Sequence, residues 1–313
     1  MITLIVPCYN EAEVLPIFYK ETTEVLSQID ELYEILFVND GSKDGTLPLL
    51  KELAKKDSRV KYLSFSRNFG KEAAMYAGFC NAKGDYVAVL DADMQDPPSL
   101  LPDMLKIIKT GEYDSVATYR VSRTGEPPVR SWFAKLFYRL INKISDVDIV
   151  PGARDFRLMT RAMVEALVSM SEYNRFSKGI FGWIGFRTYW YRYENVERAA
   201  GKTKWSFWKL LKYAVDGIVS FSQMPLRIAS WLGMTMTGVA FAAILFVFFR
   251  SLLFGDPVAG WPSTICIILF VGGIQLLCLG VMGQYLSKTY LETKHRPHYI
   301  LSETNMTDAK RIG

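Results

Sequence analysis

Tyr86-Val87-Ala88-Val89-Leu90-Asp91-Ala92-Asp93-Met94-Gln95-Asp96-Pro97-Pro98 passes without a break from an apolar run into an acidic turn. The run is short, bounded and free of alternation, the pattern of a strand buried on both faces. Side chains two apart in an extended chain point the same way, so Asp91 and Asp93 can approach one cation. Carboxylates are hard ligands suited to Mg²⁺ or Mn²⁺, and Gln95 adds a third oxygen on the same side. Such a metal bridges diphosphate oxygens and offsets the charge that develops as a nucleotide leaves. The competing reading is a solvated turn capping a helix that starts near Pro97. Placement at the end of a buried strand favours the ligand reading.

Working back from this stretch, apolar runs alternate with helix-like segments. Residues 4–6, 35–38, 60–65 and 86–90 read as strands, and 13–28, 46–56 and 69–82 as helices. That alternation predicts an α/β fold with a mainly parallel sheet covered on both faces. Ligands of such sheets bind at the carboxyl ends of the strands. The polar clusters fall there. Pro7, Tyr9, Asn10 and Glu11 end the first strand and form one wall of a nucleoside pocket. Asp40, after the second strand, is placed to accept a hydrogen bond from the N–H edge of a base. Asp44 and Thr46 read as caps of the next helix.

The composition then divides the chain. Half of the 313 residues are apolar, and the net charge of +5 does not mark a nucleic-acid binder. The apolar excess lies after about position 228. Residues 228–249 and 263–287 carry no charge and are long enough to span a bilayer. Gly255-Asp256-Pro257 makes a turn between them. Lys and Arg flank the pair on its outer sides, which places both termini in the cytoplasm. The opening residues read as a buried strand rather than a signal peptide. Cys8, Cys80, Cys266 and Cys278 lack zinc or redox spacing and read as small hydrophobes in a reducing compartment. His295 and His298 lie in the tail and are not taken as a metal pair.

Two amphipathic segments adjoin the hairpin. In 131–145, Phe133, Leu136, Phe137, Leu140 and Ile144 recur at helical spacing beside the basic row Lys135, Arg139 and Lys143. Trp205 and Trp208 begin a similar segment. A basic face beside an apolar one suits a helix lying among lipid headgroups. Arg120, Arg123, Arg130, Arg198, Lys202 and Lys204 form a cationic set near these segments, suited to phosphate on a lipid or a donor. The resulting division is a catalytic domain over 1–204, a juxtamembrane helix over 205–227, a transmembrane hairpin over 228–287 and a tail over 288–313.

Taken together, Pro7-Cys8-Tyr9-Asn10-Glu11, Asn39-Asp40-Gly41-Ser42-Lys43-Asp44-Gly45-Thr46 and Asp91-Ala92-Asp93-Met94-Gln95-Asp96 resemble the successive motifs of family 2 glycosyltransferases of the GT-A fold. The resemblance is closest to polyprenyl-phosphate glycosyltransferases, the bactoprenol glucosyltransferases and dolichyl-phosphate mannose synthases. Ala153-Arg154-Asp155-Phe156-Arg157-Leu158-Met159 and the segment from Arg198 to Trp205 resemble two further motifs of the bactoprenol branch. The resemblance implies transfer of a hexose from a nucleotide sugar to polyprenyl phosphate, with inversion and metal assistance, at the cytoplasmic face of the cell membrane. Glucose from UDP-glucose is the favoured donor, ahead of UDP-N-acetylglucosamine and GDP-mannose. A tetramer is also implied. The resemblance places Asp40 on the base, Asp91, Asp93 and Gln95 around the metal, and Arg120 with the Arg198 to Lys204 segment on phosphates. Asp155 matches a position proposed as catalytic base. A phosphate monoester is already largely a dianion at neutral pH, so the alternative is that Asp155 orients a ligand or a basic side chain. The chain lacks the Gln-x-x-Arg-Trp motif of processive synthases. A non-catalytic nucleotide-sugar-binding membrane protein is the rival of another class.

Overall fold

The computed structural model of the protein describes residues 1–120, 150, 152–193, 219, 222–254 and 261–313. The amphipathic segments, and Arg123, Arg130, Arg198, Lys202 and Lys204, lie outside the described residues. The strands are β1 (Ile2–Cys8), β2 (Tyr33–Asn39), β3 (Val60–Phe65), β4 (Tyr86–Val89), β5 (Ser115–Arg120), β6 (Ala153–Thr160), β7 (Thr188–Tyr193) and β8 (Leu301–Thr304). The helices are α1 (Leu15–Ser27), α2 (Thr46–Lys56), α3 (Lys71–Asn81), α4 (Leu101–Ile108), α5 (Arg161–Ser169), α6 (Ser177–Trp183), α7 (Met224–Phe254) and α8 (Trp261–Thr293).

One eight-stranded sheet has the order β7-β5-β6-β4-β1-β2-β3-β8. Its centre, β3-β2-β1-β4, is parallel, as the alternation of strands and helices predicts. β6 joins β4 antiparallel, so the start of β6 lies beside the carboxyl end of β4. That pairing brings the 153–157 segment to the acidic turn. β1 shows why both faces are apolar. Leu4 and Val6 pack into one layer with Phe18, Leu50 and Met104, and Ile5 into the other with Met75, Ala77 and Met163. α3 lies so close to β1 that a Cβ on Gly78 would come within 2.3 Å of an Ile5 methyl.

The segment after the hairpin is not a free tail. β8 pairs antiparallel with β3, placing an edge strand from the end of the chain on the first half's sheet. Tyr299 is fully buried, stacks on Phe65 at 5.3 Å and donates its hydroxyl to the Lys310 carbonyl. Glu292, near the end of α8, accepts the Tyr173 backbone N–H at 2.8 Å, and the His298 ring packs on Tyr76 and Tyr173. The hairpin is therefore anchored to the domain by the segment that follows it. Removing the Tyr299 ring opens a cavity in a closed core. Tyr299→Ala is expected to destabilise the fold by about 3–5 kcal/mol, read by thermal unfolding of the full chain in detergent.

α7 and α8 contain the two uncharged stretches. Met224–Ala243 and Phe270–Thr293 are long and apolar enough to cross a membrane, and neither is buried by the rest of the chain. Trp231, Phe241, Leu253, Leu276 and Leu286 are all more than half exposed. Apolar surface of this extent calls for a cover of lipid or protein. The two helices touch, with the Cys278 thiol 3.5 Å from the Ala229 carbonyl.

Candidate active site

The carboxyl edge of the parallel strands carries the site. Asn10 sits in the left-handed region at φ 56°, an accessible conformation for Asn, and turns the chain out of β1. Its side-chain oxygen accepts the Lys43 N–H and its own N–H donates to Ser42, tying the first polar loop to the second. Asp44 accepts the Thr46 N–H, and the Thr46 hydroxyl accepts the Glu11 N–H. Asp44 and Thr46 thus serve the backbone of the two loops, while the N-cap position of α2 falls to Gly45, without a side-chain cap, rather than to either of them. Pro7 and Glu11 are half-buried along this wall, and Tyr9 is exposed.

Asp40 is almost wholly buried. Its carboxylate accepts the Phe69 N–H at 2.6 Å and the Gly70 N–H at 3.0 Å. Burial pushes the carboxyl up to about 6, against the pull of those two donors. The next residue, Gly41, has φ 63°, and a Cβ there would come within 2.4 Å of the Arg67 carbonyl carbon. Asp40 and Gly41 together therefore hold the 67–70 loop that launches α3.

In the acidic turn, Asp91, Asp93 and Gln95 are half-buried while Ala92, Met94 and Asp96 are buried. The same-side relation expected for Asp91, Asp93 and Gln95 thus persists in their exposure. The backbone is not extended, however; β4 ends at Val89 and Met94 turns at φ 60°. The Gln95 side-chain oxygen accepts from the Arg154 guanidinium at 3.0 Å, and the Gln95 N–H donates to Asp93. Arg154 also pairs with buried Asp96 at 3.0 Å, and Tyr193 donates its hydroxyl to the same carboxylate. Gln95 is therefore bonded to an arginine here, and the half-buried carboxylates of the turn are those of Asp91 and Asp93. Among the described residues, no group of three or more His, Cys, Asp or Glu forms a metal cage. Two carboxylates still fit a divalent ion whose other ligands are diphosphate oxygens and water. The same place already attracts a cation: the Lys71 ammonium lies 2.7 Å from Asp91.

Lys71, the first residue of α3, also lies 2.5 Å from Asp155. Burial alone would raise the Asp155 carboxyl. The Lys71 ammonium, with Lys178 behind it, outweighs burial and holds the carboxyl well below the usual range. Burial would lower Lys71, but its two carboxylates raise it instead. Asp155 thus pairs with a basic side chain. Arg120 ends β5, on the same sheet. Lys71, Arg154, Asp96 and Tyr193 are site residues that the motifs do not single out. Arg154 and Asp96 lie inside the quoted motifs, adjacent to Asp155 and Gln95, whereas Lys71 and Tyr193 carry no such signal.

A parallel sheet with carboxylates, lysine and arginine at its carboxyl edge defines an α/β enzyme handling phosphorylated ligands. The comparisons make the class particular. Residues 3–168 match the model of glycosyl transferase family 2, and the chain belongs to that family. A bactoprenol glucosyl transferase homolog of an Escherichia coli K12 prophage is 43% identical over 96% of this chain and 98% of its own length. The bactoprenol glucosyl transferase of Shigella phage SfV is 42% identical over 96% of this chain and 97% of its own. A mannosyltransferase of Pyrobaculum calidifontis, solved with GDP-Man and Mn²⁺, is 17% identical with a TM-score of 0.48, over 94% of this chain and 87% of that one. The fold is GT-A and the protein is a glycosyltransferase.

Proposed function

We propose that the protein transfers glucose from UDP-glucose to polyprenyl phosphate at the cytoplasmic face of the cell membrane. The observation that carries this reading is identity above 40% to bactoprenol glucosyl transferases over nearly the whole chain, hairpin included. The site chemistry supports it. A phosphate oxygen of the acceptor attacks the anomeric carbon from the face opposite the donor phosphate. The bond from that carbon to the diphosphate oxygen breaks, and UDP leaves with the electron pair. The anomeric centre inverts, and no proton has to be removed from an acceptor dianion. The chain's task is alignment and charge neutralisation. Asp91 and Asp93 would hold a Mg²⁺ or Mn²⁺ ion, which supplies positive charge to the leaving diphosphate. Asp40 and the Tyr9 to Glu11 wall frame the nucleoside, and Arg120, Arg123, Arg130, Arg198, Lys202 and Lys204 serve phosphates. The exposed apolar faces of α7 and α8 are covered by the bilayer, and the charge flanks put both termini inside. The protein assembles as a homo-oligomer.

The test is transfer by the purified chain in liposomes containing undecaprenyl phosphate and Mn²⁺, with labelled UDP-glucose, UDP-N-acetylglucosamine and GDP-mannose in separate reactions. Labelled lipid from UDP-glucose alone is expected. Preference for another donor would move the sugar assignment, and no labelled lipid from any donor would remove the enzyme reading.

A further inference from the structure

A cavity of about 280 Å³ lies between β6, β7 and α6. Its walls include Arg154, Arg157, Lys178, Phe181, Phe186 and Trp190. Arg154 is neutralised by Asp96. The other two share only the field of Asp155, whose carboxylate Lys71 already holds. Among the described residues, neither Arg157 nor Lys178 has a carboxylate within ion-pair distance. Arg157 is only 4% exposed. One terminal nitrogen donates to Ser115 at 3.2 Å and reaches Thr188 at 3.4 Å, and the guanidinium lies 4.3 Å from the Phe181 ring centroid. Among the described residues, the Nε–H has no partner. Burial lowers the guanidinium to about 10, which leaves it charged at neutral pH.

A buried cation without a counter-ion and with an unused donor is costly. The cost is removed when an anion enters. Asp155 sits close enough to influence Arg157, but Lys71 already holds it. Two cations with no ion-paired carboxylate of their own among the described residues match a phosphate monoester, which carries close to two negative charges at neutral pH. The aromatic walls then meet whatever the phosphate is esterified to. They offer an apolar surface, and the volume is at the small end for ligand pockets. A nucleoside diphosphate with its sugar is larger, and it needs the carboxylates at Asp91 and Asp93 rather than a cavity without them.

We propose that this cavity seats the phosphate of a prenyl phosphate, with Arg157 and Lys178 on the oxygens and Trp190, Phe181 and Phe186 against the first prenyl units. The proposal rests on the lipid-phosphate reading above and assigns its acceptor to residues outside the set read from the sequence. The site adjoins the Lys71, Asp155 and Asp91 cluster, since the Asp155 carboxyl feels Lys178 directly. A phosphate held there approaches the donor from the β6 side of the acidic turn.

Binding of farnesyl phosphate to the full chain in detergent, measured by titration calorimetry without any donor, tests this. Farnesol, inorganic phosphate and UDP serve as separate probes. Farnesyl phosphate is expected to bind more tightly than farnesol or inorganic phosphate. Lys178→Gln should weaken it by about tenfold or more and leave UDP affinity unchanged, with Lys178→Arg restoring most of the loss. Arg157→Gln should show the same loss. If that variant does not fold, Lys178→Gln decides, because Lys178 is half-buried and outside any ion pair among the described residues. No farnesyl phosphate binding, a change under twofold in Lys178→Gln, or an equal loss for UDP would each overturn the proposal. Equal affinity for inorganic phosphate would remove the prenyl wall and with it the assignment. Because no sugar is transferred, failure of the donor screen leaves this result standing, and failure here leaves the donor screen standing.

Discussion

Asp93→Asn is expected to reduce transfer by a factor of about a thousand or more while the protein remains folded and membrane-bound. The substitution keeps the size and the turn. Asp93 accepts the Gln95 N–H through an oxygen that the amide also possesses. What is lost is one of two negative charges able to face a cation. The Gln95 oxygen is already engaged by Arg154. Loss of a carboxylate should therefore weaken a divalent ion and remove most of the charge compensation at the leaving diphosphate. Two measurements check this: turnover in the liposome assay, and Mn²⁺ affinity of the purified chain by electron paramagnetic resonance. Near-normal values of both would sink the ligand assignment. Normal Mn²⁺ affinity with lost turnover would move Asp93 from the metal to another role.

The readable parts of this protein are those whose physics is local. Residues 60–65 and 46–56 read as a strand and a helix and fold with those bounds. In residues 60–65 Val60, Tyr62, Leu63 and Phe65 outweigh Lys61 and Ser64, and a basic last turn marks where α2 stops. Asp91 and Asp93 are legible because a strand end and an acidic pair coincide. Other parts depend on distant chain. Leu301-Ser302-Glu303-Thr304 is too short and too polar to declare itself a strand, and only the free edge of β3 makes it one. Lys71 lies in an ordinary Gly-Lys-Glu sequence. Its importance arises because α3 sets it between Asp91, 20 residues on, and Asp155, 84 residues on. Arg157 looked like one more residue of a strand motif. Its missing counter-ion appears only when β5, β6, β7 and α6 close around it.

Lys71→Met should lower turnover by about a hundredfold and change the shape of the pH profile. In the wild type, the ammonium holds Asp155 ionised well below neutral pH, so activity should show no acidic limb from this group between pH 6 and 8. Methionine keeps the length and apolar stem of lysine but removes its charge. Burial, which favours the neutral acid, then acts on Asp155 against a weaker opposing field. Its pKa rises. If the ionised form is required, activity falls as pH drops through the new, higher pKa, and an acidic limb appears in the variant alone. Asp91 also loses its ammonium partner at 2.7 Å, so Mn²⁺ should bind the donor-free variant more tightly even as turnover falls. A lysine that merely stabilised the fold would change unfolding temperature without that opposite movement of metal affinity and rate. Lys71→Arg restores the charge and should return the wild-type profile. An unchanged profile in Lys71→Met, with unchanged metal affinity, would show that the ion pairs among Lys71, Asp91 and Asp155 take no part in the reaction.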